Sequence, residues 1–235
     1  MDKRLLSLAK KIPDGRGVAD VGTDHGYIPV YLASNGYSGN IFASDINSAP
    51  LKTGMVNAEE AGVENRISFI HCNGLEKCPH SDIDTILIAG MGGDTICGIL
   101  DRDEWVMDPA YLLILQPMTK AEILRYWLVN NGFEILSEEL CEDGGFTYQI
   151  ITSRFGGHTE LNDAELFVGK YEQIHMSASF SARLSKLIKS TKKSIDGIEK
   201  AADENVRSRK RLFEEIYEQL LEMKRKYAEE EHDAN

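Results

Sequence analysis

The chain has 235 residues, 42% of them hydrophobic and 27% charged, with a formal net charge of −12. That length and composition suffice to bury a sizeable core without staples, which excludes a disordered polymer or a disulfide-dense miniature scaffold. No run approaches the roughly 18 apolar residues of a membrane-spanning helix, so a helical membrane protein is excluded too.

The opening segment, MDKRLLSLAKKIPDG, is interrupted by charge and lacks a small-residue cleavage site. It reads as an amphipathic first helix rather than a signal peptide. Short β-rich runs then alternate with helix-compatible segments. Gly17–Val21, Ile41–Ser44, Ile67–Cys72, Asp84–Ala89 and Tyr111–Gln116 are predicted strands; Ala49–Ala61 and Lys120–Asn131 are predicted helices. Strands this apolar on both sides, separated by helices, indicate a parallel sheet covered on both faces. Glu134–Glu139 and Thr147–Arg154 follow one another across CEDGG with no helix between, which suits an antiparallel hairpin at the sheet edge. The expected fold is therefore α/β: a Rossmann-like, seven-stranded, mostly parallel sheet with a terminal antiparallel hairpin, the class I methyltransferase form. A dehydrogenase would be expected to close with a parallel sixth strand.

The sheet pattern stops near Arg154, and FGGH marks a boundary that divides the chain into domains 1–157 and 158–235. Beyond Asn162, Phe180, Leu184, Leu187, Thr191, Ile195 and Ile198 recur at steps of three and four. Val206, Phe213, Ile216, Leu220, Met223 and Tyr227 form a second stripe. Two such stripes, joined near Ala201–Glu204, predict an antiparallel helical hairpin or short coiled coil.

Charge is unevenly placed. Residues 1–157 carry 12 basic and 22 acidic side chains, whereas residues 183–211 hold 10 Lys or Arg against 4 Asp or Glu. A phosphate backbone feels the local field, so net acidity weakens a nucleic-acid reading without removing it. Cys72, Cys78, Cys97 and Cys141 show no CxxC spacing and the six histidines are scattered. Free thiols in a reducing cytosol, and no metal site, are expected.

The strongest local signal is Asp20-Val-Gly-Thr-Asp-His-Gly26 after the first strand. Glycines at a strand-end turn let backbone N–H groups approach a ligand, aided by the following helix N-terminus. Dinucleotide binders use such a loop as well. Asp45, closing the second strand before Ile46, is placed to accept from both ribose hydroxyls, and would otherwise cap the helix before Pro50. Asn73-Gly74 after the third strand could offer an amide to an adenine edge, or form a simple turn. The fourth strand ends in Ala89-Gly90-Met91-Gly-Gly, which puts bare backbone at the carboxyl edge, unless Asp94 or Thr95 merely caps a helix there. Four such features converge on one edge and predict a cofactor site for S-adenosylmethionine. Asp24 stands where the usual methyltransferase loop has its middle glycine, and would project toward the transfer centre or act as a cap.

The DVGTDHGYIP loop, the IAGMGG strand end, the LQP at Leu115–Pro117 and the basic helical tail together resemble the bacterial tRNA (adenine-22, N1) methyltransferases, over nearly the whole chain. The match is specific in the first 155 residues. Met118 follows LQP where the family often has asparagine. The resemblance implies methylation of adenine N1 in tRNA, with Asp24 as the catalytic-site carboxylate and Gly22, Asp45, Asn73 and Gly90 lining the cofactor. Asp20, Thr23, His25, Gly26, Ile46, Gly74, Ala89 and Met91 complete the expected cofactor set, and Gln116 and Pro117 join the substrate side.

That chemistry suits these residues. Adenine N1 already offers a lone pair, so no proton must leave before attack. Positive charge moves from the sulfonium to the ring, and a carboxylate facing it stabilises the transition state. The base must leave its stack, and Tyr27 or His25 could stack on it. Arg183, Lys186, Lys189, Lys192, Lys193, Arg207, Arg209, Lys210 and Arg211 are the candidate phosphate contacts, or else a solvated helix face. The overall expectation is a monomeric, cytoplasmic, metal-free tRNA methyltransferase with no membrane partner. Rival readings are methylation of another RNA or a small molecule, a nicotinamide oxidoreductase, and a cofactor-binding scaffold.

Overall fold

The computed structural model describes residues 1–200 and 209–233. The chain divides into two compact units. One comprises Met1–Ser137 with Cys141–Thr159, the other Glu138–Leu140 with the residues from Glu160 onward.

In the first unit, α1 (Lys3–Ala9) opens the chain, its first turn capped by Asp2 Oδ1 on Leu5 N at 2.7 Å. Then come β1 (Gly17–Val21), α2 (Tyr27–Ser34), β2 (Asn40–Asp45), α3 (Ser48–Glu60), β3 (Ile67–His71), β4 (Thr85–Gly92), α4 (Gly93–Leu100), β5 (Leu112–Thr119), α5 (Ala121–Asn130), β6 (Phe133–Asp143, apart from Glu138–Leu140, which group with the second unit) and β7 (Phe146–Phe155). The sheet order is β3-β2-β1-β4-β5-β7-β6. β1 to β5 are parallel, and β7 runs antiparallel to β5. This is the predicted sheet with its closing hairpin. Every residue of β1 is buried, as are the first four of β4, because helices cover both faces. The chain reverses direction of travel across the sheet between β1 and β4, and a crevice opens at the carboxyl ends of such strands.

The differences from expectation lie at strand ends. β4 and β5 extend three residues beyond Ala89 and Gln116, because their pairing continues through register shifts on either side of Met91. Gly90, at φ 79°, provides the bulge. The glycine-rich strand end predicted as an open loop is thus paired strand. In CEDGG, Cys141, Glu142 and Asp143 belong to β6. Only Gly144 and Gly145 turn, both at positive φ, as a two-residue hairpin of matching twist requires.

The second unit contains α6 (Asp163–Val168), α7 (Tyr171–Ile174), α8 (Phe180–Glu199) and α9 (Lys210–Asp233). Asn162 and Glu165 form a reciprocal capping box at α6. Both predicted stripes face inward. Phe180, Leu184, Ile195, Ile198, Ile216, Leu220 and Met223 are buried; Leu187, Thr191, Phe213 and Tyr227 are half-buried. Phe180 packs against Tyr227 with tilted rings, centroids 5.1 Å apart, and Glu199 pairs with Lys210 at 2.9 Å, so α8 and α9 run antiparallel. Val206 and the joint near Ala201–Glu204 lie outside the described residues. The short helices α6 and α7 agree with helical character from about Asn162 but carry no stripe of their own; Ala164, Val168, Tyr171 and Ile174 complete the tail's apolar cluster.

All four cysteines are unpaired and buried. Burial pushes the Cys78 thiol up to about 12 and the Cys97 thiol up to about 11. Among the described residues, no helix is long and apolar enough to cross a membrane, and no cluster of His, Cys, Asp or Glu is arranged to hold a metal ion.

Candidate active site

A cavity of about 850 Å³ opens at the carboxyl ends of β1, β2 and β4. Its geometry begins with the loop after β1. Gly22 N and Thr23 N both donate to Ser44 O, at 2.8 and 3.0 Å, which fastens the loop to β2. Gly22, Asp24 and Gly26 then alternate into the left-handed region, at φ 73°, 51° and 69°. Two positions are glycine, but the middle one is a carboxylate held where L-residues are strained by roughly 1 kcal/mol. Gly26 also admits α3, since a Cβ there would lie 3.0 Å from Gly54 Cα. Asp24 makes no capping bond to α2, whose N-cap is Gly26. Its side chain is 70% exposed, with His25 Nε2 3.5 Å away.

Asp20 sits deeper, 5% exposed, with Thr23 Oγ1 donating to its Oδ2 at 2.6 Å. Burial raises its pKa to about 6; the Thr23 hydrogen bond opposes this, and the nearby Asp45 charge adds to it.

Asp45 Oδ1 accepts from Asn47 N at 2.7 Å. Its second oxygen has no partner among the described residues and remains available for a ribose. Asn73 is fixed by Arg102, whose Nη2 donates to Asn73 Oδ1 at 3.1 Å. Because a guanidinium only donates, the Asn73 NH2 group is the part left for a ligand. No motif in the sequence marks Arg102, which reaches Asn73 from 29 positions away.

At the β4 end, Gly90 N donates to Gln116 Oε1 at 3.2 Å, and Arg4 Nη1 donates to the same oxygen at 2.9 Å. Gln116 Nε2 donates to Pro117 O at 3.0 Å and weakly to Met118 Sδ at 3.5 Å. Gln116 and Pro117, expected to meet substrate, are buried and absent from the cavity wall; the Gln116 amide is engaged in bracing the β4–β5 edge. His25 and Gly26 are likewise not on the wall; the His25 carbonyl accepts from Asn57 Nδ2 at 2.9 Å. The wall does include Asp20, Gly22, Thr23, Asp24, Tyr27, Asp45, Ile46, Asn73, Gly74, Ala89, Gly90, Met91 and Met118. It also includes Asp2, Arg4 and Leu5 of the N-terminal segment, which the sequence offered only as an amphipathic helix. Tyr27 is 49% exposed and Met118 50% exposed.

The basic tail residues separate into two groups. Arg183 donates from Nε to Val168 O at 3.1 Å and from Nη2 to Phe167 O at 2.6 Å, closing the carboxyl end of α6. That geometry contradicts a free phosphate-binding role for it. Lys192 pairs with Asp196, Lys210 with Glu199 and Glu214, and Arg211 with Glu215. Lys186, Lys189, Lys193 and Arg209 are exposed. Arg207 lies outside the described residues.

A switch-point crevice with a glycine loop, a ribose-competent aspartate and a closing antiparallel hairpin defines a methyltransferase, and the model of the family described as "Methyltransferase domain" matches residues 1–151. The tRNA (adenine(22)-N(1))-methyltransferase of Bacillus subtilis (strain 168) is 30% identical over 208 residues, spanning 86% of this chain and 87% of that one. This chain belongs to that family of tRNA methyltransferases. Among solved structures, the B. subtilis m1A22 tRNA methyltransferase TrmK aligns with a TM-score of 0.85 at 27% identity, over 95% of this chain and 98% of that one. M. capricolum TrmK in complex with S-adenosyl-homocysteine aligns with a TM-score of 0.77 at 26% identity, over 97% and 98%.

Proposed function

We propose that the chain transfers a methyl group from S-adenosylmethionine to N1 of adenine 22 in tRNA, as a monomer in the cytoplasm. The observation that carries this is the cavity itself. Backbone from Gly22 and Gly90, a half-engaged Asp45 and an oriented Asn73 converge there within a chain of this family. The fit to the cofactor is chemical: a ribose acceptor, an amide for a base edge and bare strand-end backbone occupy one continuous wall.

When bound, the cofactor supplies an electrophilic methyl on a positively charged sulfur. The protein's part is alignment and charge. Asp45 holds the ribose, Asn73 the adenine edge, and the loop from Gly22 to Gly26 fixes the approach. Asp24, exposed at the mouth and kept left-handed by the loop, faces the incoming base and stabilises its growing positive charge. Tyr27, beside it on the wall, offers a ring for stacking. Residues 1–157 form the catalytic domain in this reading. Residues 158–235 provide the RNA contacts, through the exposed Lys186, Lys189, Lys193 and Arg209.

The test is transfer of labelled methyl from S-adenosylmethionine to unmodified bacterial tRNA, followed by nucleoside analysis and mapping by reverse-transcription stops. Labelled 1-methyladenosine at position 22, lost when that adenine is replaced by guanine, is the expected result. Transfer to another base or position, or none despite cofactor binding, overturns the reading.

A further inference from the structure

Lys120 occupies a position that the fold does not require to be lysine. Among the described non-glycine residues, positive φ is found at Asp24 and Lys120, at 51° and 57°. Asp24 lies on the cavity wall, and Lys120 follows β5 two positions beyond the wall residue Met118. Packing holds its backbone there, since a Cβ on Gly93 would run into Lys120 O. Glycine or asparagine would take that conformation with less strain. Lys120 is the N-cap of α5 yet makes no side-chain capping bond. Its Nζ meets Asp94 Oδ2 at 2.6 Å, with the two side chains 50% and 49% exposed. An ion pair so open to water adds little stability and does not offset the strain. A strained backbone bearing a charge that folding does not use marks a functional position.

The lysine stands close to the loop that carries Asp24. A Cβ on Gly22 would run into Met91 Cε, so the Met91 side chain covers that loop. The next residue, Gly92, is in register with Thr119, the neighbour of Lys120. Asp94, in turn, precedes the wall residue Thr95.

The charge around the cavity gives this position its use. Asp2, Asp20, Asp24 and Asp45 line the wall with carboxylates, which suit a cofactor whose ammonium and sulfonium are both positive. A polyanionic substrate meets the opposite field, because residues 1–157 carry 12 basic against 22 acidic side chains. The wall cations Arg4 and Arg102 are engaged with Gln116 and Asn73. An adenine seated against Asp24 brings its own phosphodiester to this acidic rim. Lys120 offers a half-exposed ammonium there, and the carboxylate oxygen it now holds is an anionic acceptor of the same kind as a phosphate oxygen.

We infer that Lys120 exchanges Asp94 for a phosphodiester oxygen of tRNA beside the target adenine, with Asp94 holding the ammonium in place until the substrate arrives. This rests on the tRNA reading above.

The test measures tRNA affinity against salt concentration for the full chain with S-adenosylhomocysteine bound, beside cofactor affinity and apo melting temperature. Lys120→Gly should raise the melting temperature and change cofactor affinity less than about twofold. It should weaken tRNA by about threefold to tenfold at low salt and lower the log–log salt slope by about one, the signature of one lost phosphate contact. Lys120→Arg should keep the slope. Asp94→Asn should tighten tRNA by about threefold to tenfold in the wild-type background and by less than about twofold beside Lys120→Gly. A tRNA with one neutral methylphosphonate linkage flanking adenine 22, on one side or the other, should bind wild type more weakly and lose nothing further with Lys120→Gly.

Unchanged tRNA affinity and slope in Lys120→Gly would overturn the inference. So would an equal gain from Asp94→Asn in both backgrounds, which would reduce the pair to general charge. Losses that add in full for both methylphosphonate positions would place the contact elsewhere on tRNA and overturn it as well. Joint loss of cofactor and tRNA binding with a lowered melting temperature would make Lys120 a structural residue. Wild type that bound cofactor but no tRNA would instead remove the substrate reading, a result distinct from an altered slope at Lys120.

Discussion

Thr23 Oγ1 donates a 2.6 Å hydrogen bond to Asp20 Oδ2, tying a buried carboxylate to the loop that lines the cavity. The folded chain holds Asp20 at about 6, against an ordinary value of 3.8, chiefly through burial. A raised value means that the protonated form is favoured by folding. The associated stability is present in full below 3.8 and is lost as pH rises through about 6.

Asp20→Asn should accordingly be more stable than wild type above pH 6, by up to about 3 kcal/mol, with the gap closing toward pH 4. Urea denaturation of the apo protein across that range reads it out. The same substitution should weaken S-adenosylhomocysteine binding, because the lost charge faces the ammonium. A variant equal to wild type in stability at all pH values would contradict the burial argument.

Asp24→Gly separates chemistry from strain. Glycine accepts φ 51° without penalty, so the apo protein should keep or gain about 1 kcal/mol, and cofactor affinity should hold. Turnover should fall on the order of a hundredfold, as for removal of one pre-organised electrostatic contact. Single-turnover methyl transfer beside cofactor titration distinguishes the two effects, and unchanged turnover would remove Asp24 from the mechanism.

Gly93 and Gly98 lie on the same short helix and should respond in opposite directions. A Cβ at Gly93 would come 2.1 Å from Lys120 O, a backbone atom, whereas nothing lies within 4 Å of one at Gly98. Gly93→Ala should cost about 2 kcal/mol or more through overpacking. Gly98→Ala should gain about 0.5–1 kcal/mol from helix propensity. Melting curves of the two variants decide it.

The tail makes a paired prediction. Reversing Lys186, Lys189 and Lys193 to Glu should flatten the salt dependence of tRNA binding by about two to three units of log–log slope. Arg183→Ala should leave that slope alone and destabilise the tail by about 1–3 kcal/mol, because its guanidinium closes the end of α6. A slope that responds to Arg183 and ignores the lysines would reverse the assignment.

The sheet was legible in the sequence because central strands buried on both faces carry continuous apolar runs, as in Gly17–Val21, recovered residue for residue. Its strand ends were less so. Gly90 looked like a loop residue because a β-bulge and a turn demand the same positive φ. In the site, residues announced by backbone constraint, such as Gly22, Asp45 and Gly90, were found on the wall. Those placed by long-range contact were not: Arg4 is 112 positions from Gln116, and Arg102 is 29 from Asn73. Gln116 was misplaced for the converse reason, since a motif gives a residue's position on a strand but not the direction in which its amide is used.

The four buried thiols bear on how the protein can be observed. With Cys78 and Cys97 held far above neutral pH, thiolate is scarce where a maleimide or nitroxide reagent would need it. One cysteine introduced at an exposed site, such as Ser190 on α8, would then react first against a quiet background. The native sequence thus offers a ready chassis for fluorescence or spin-label experiments, with no need to strip its own sulfur beforehand.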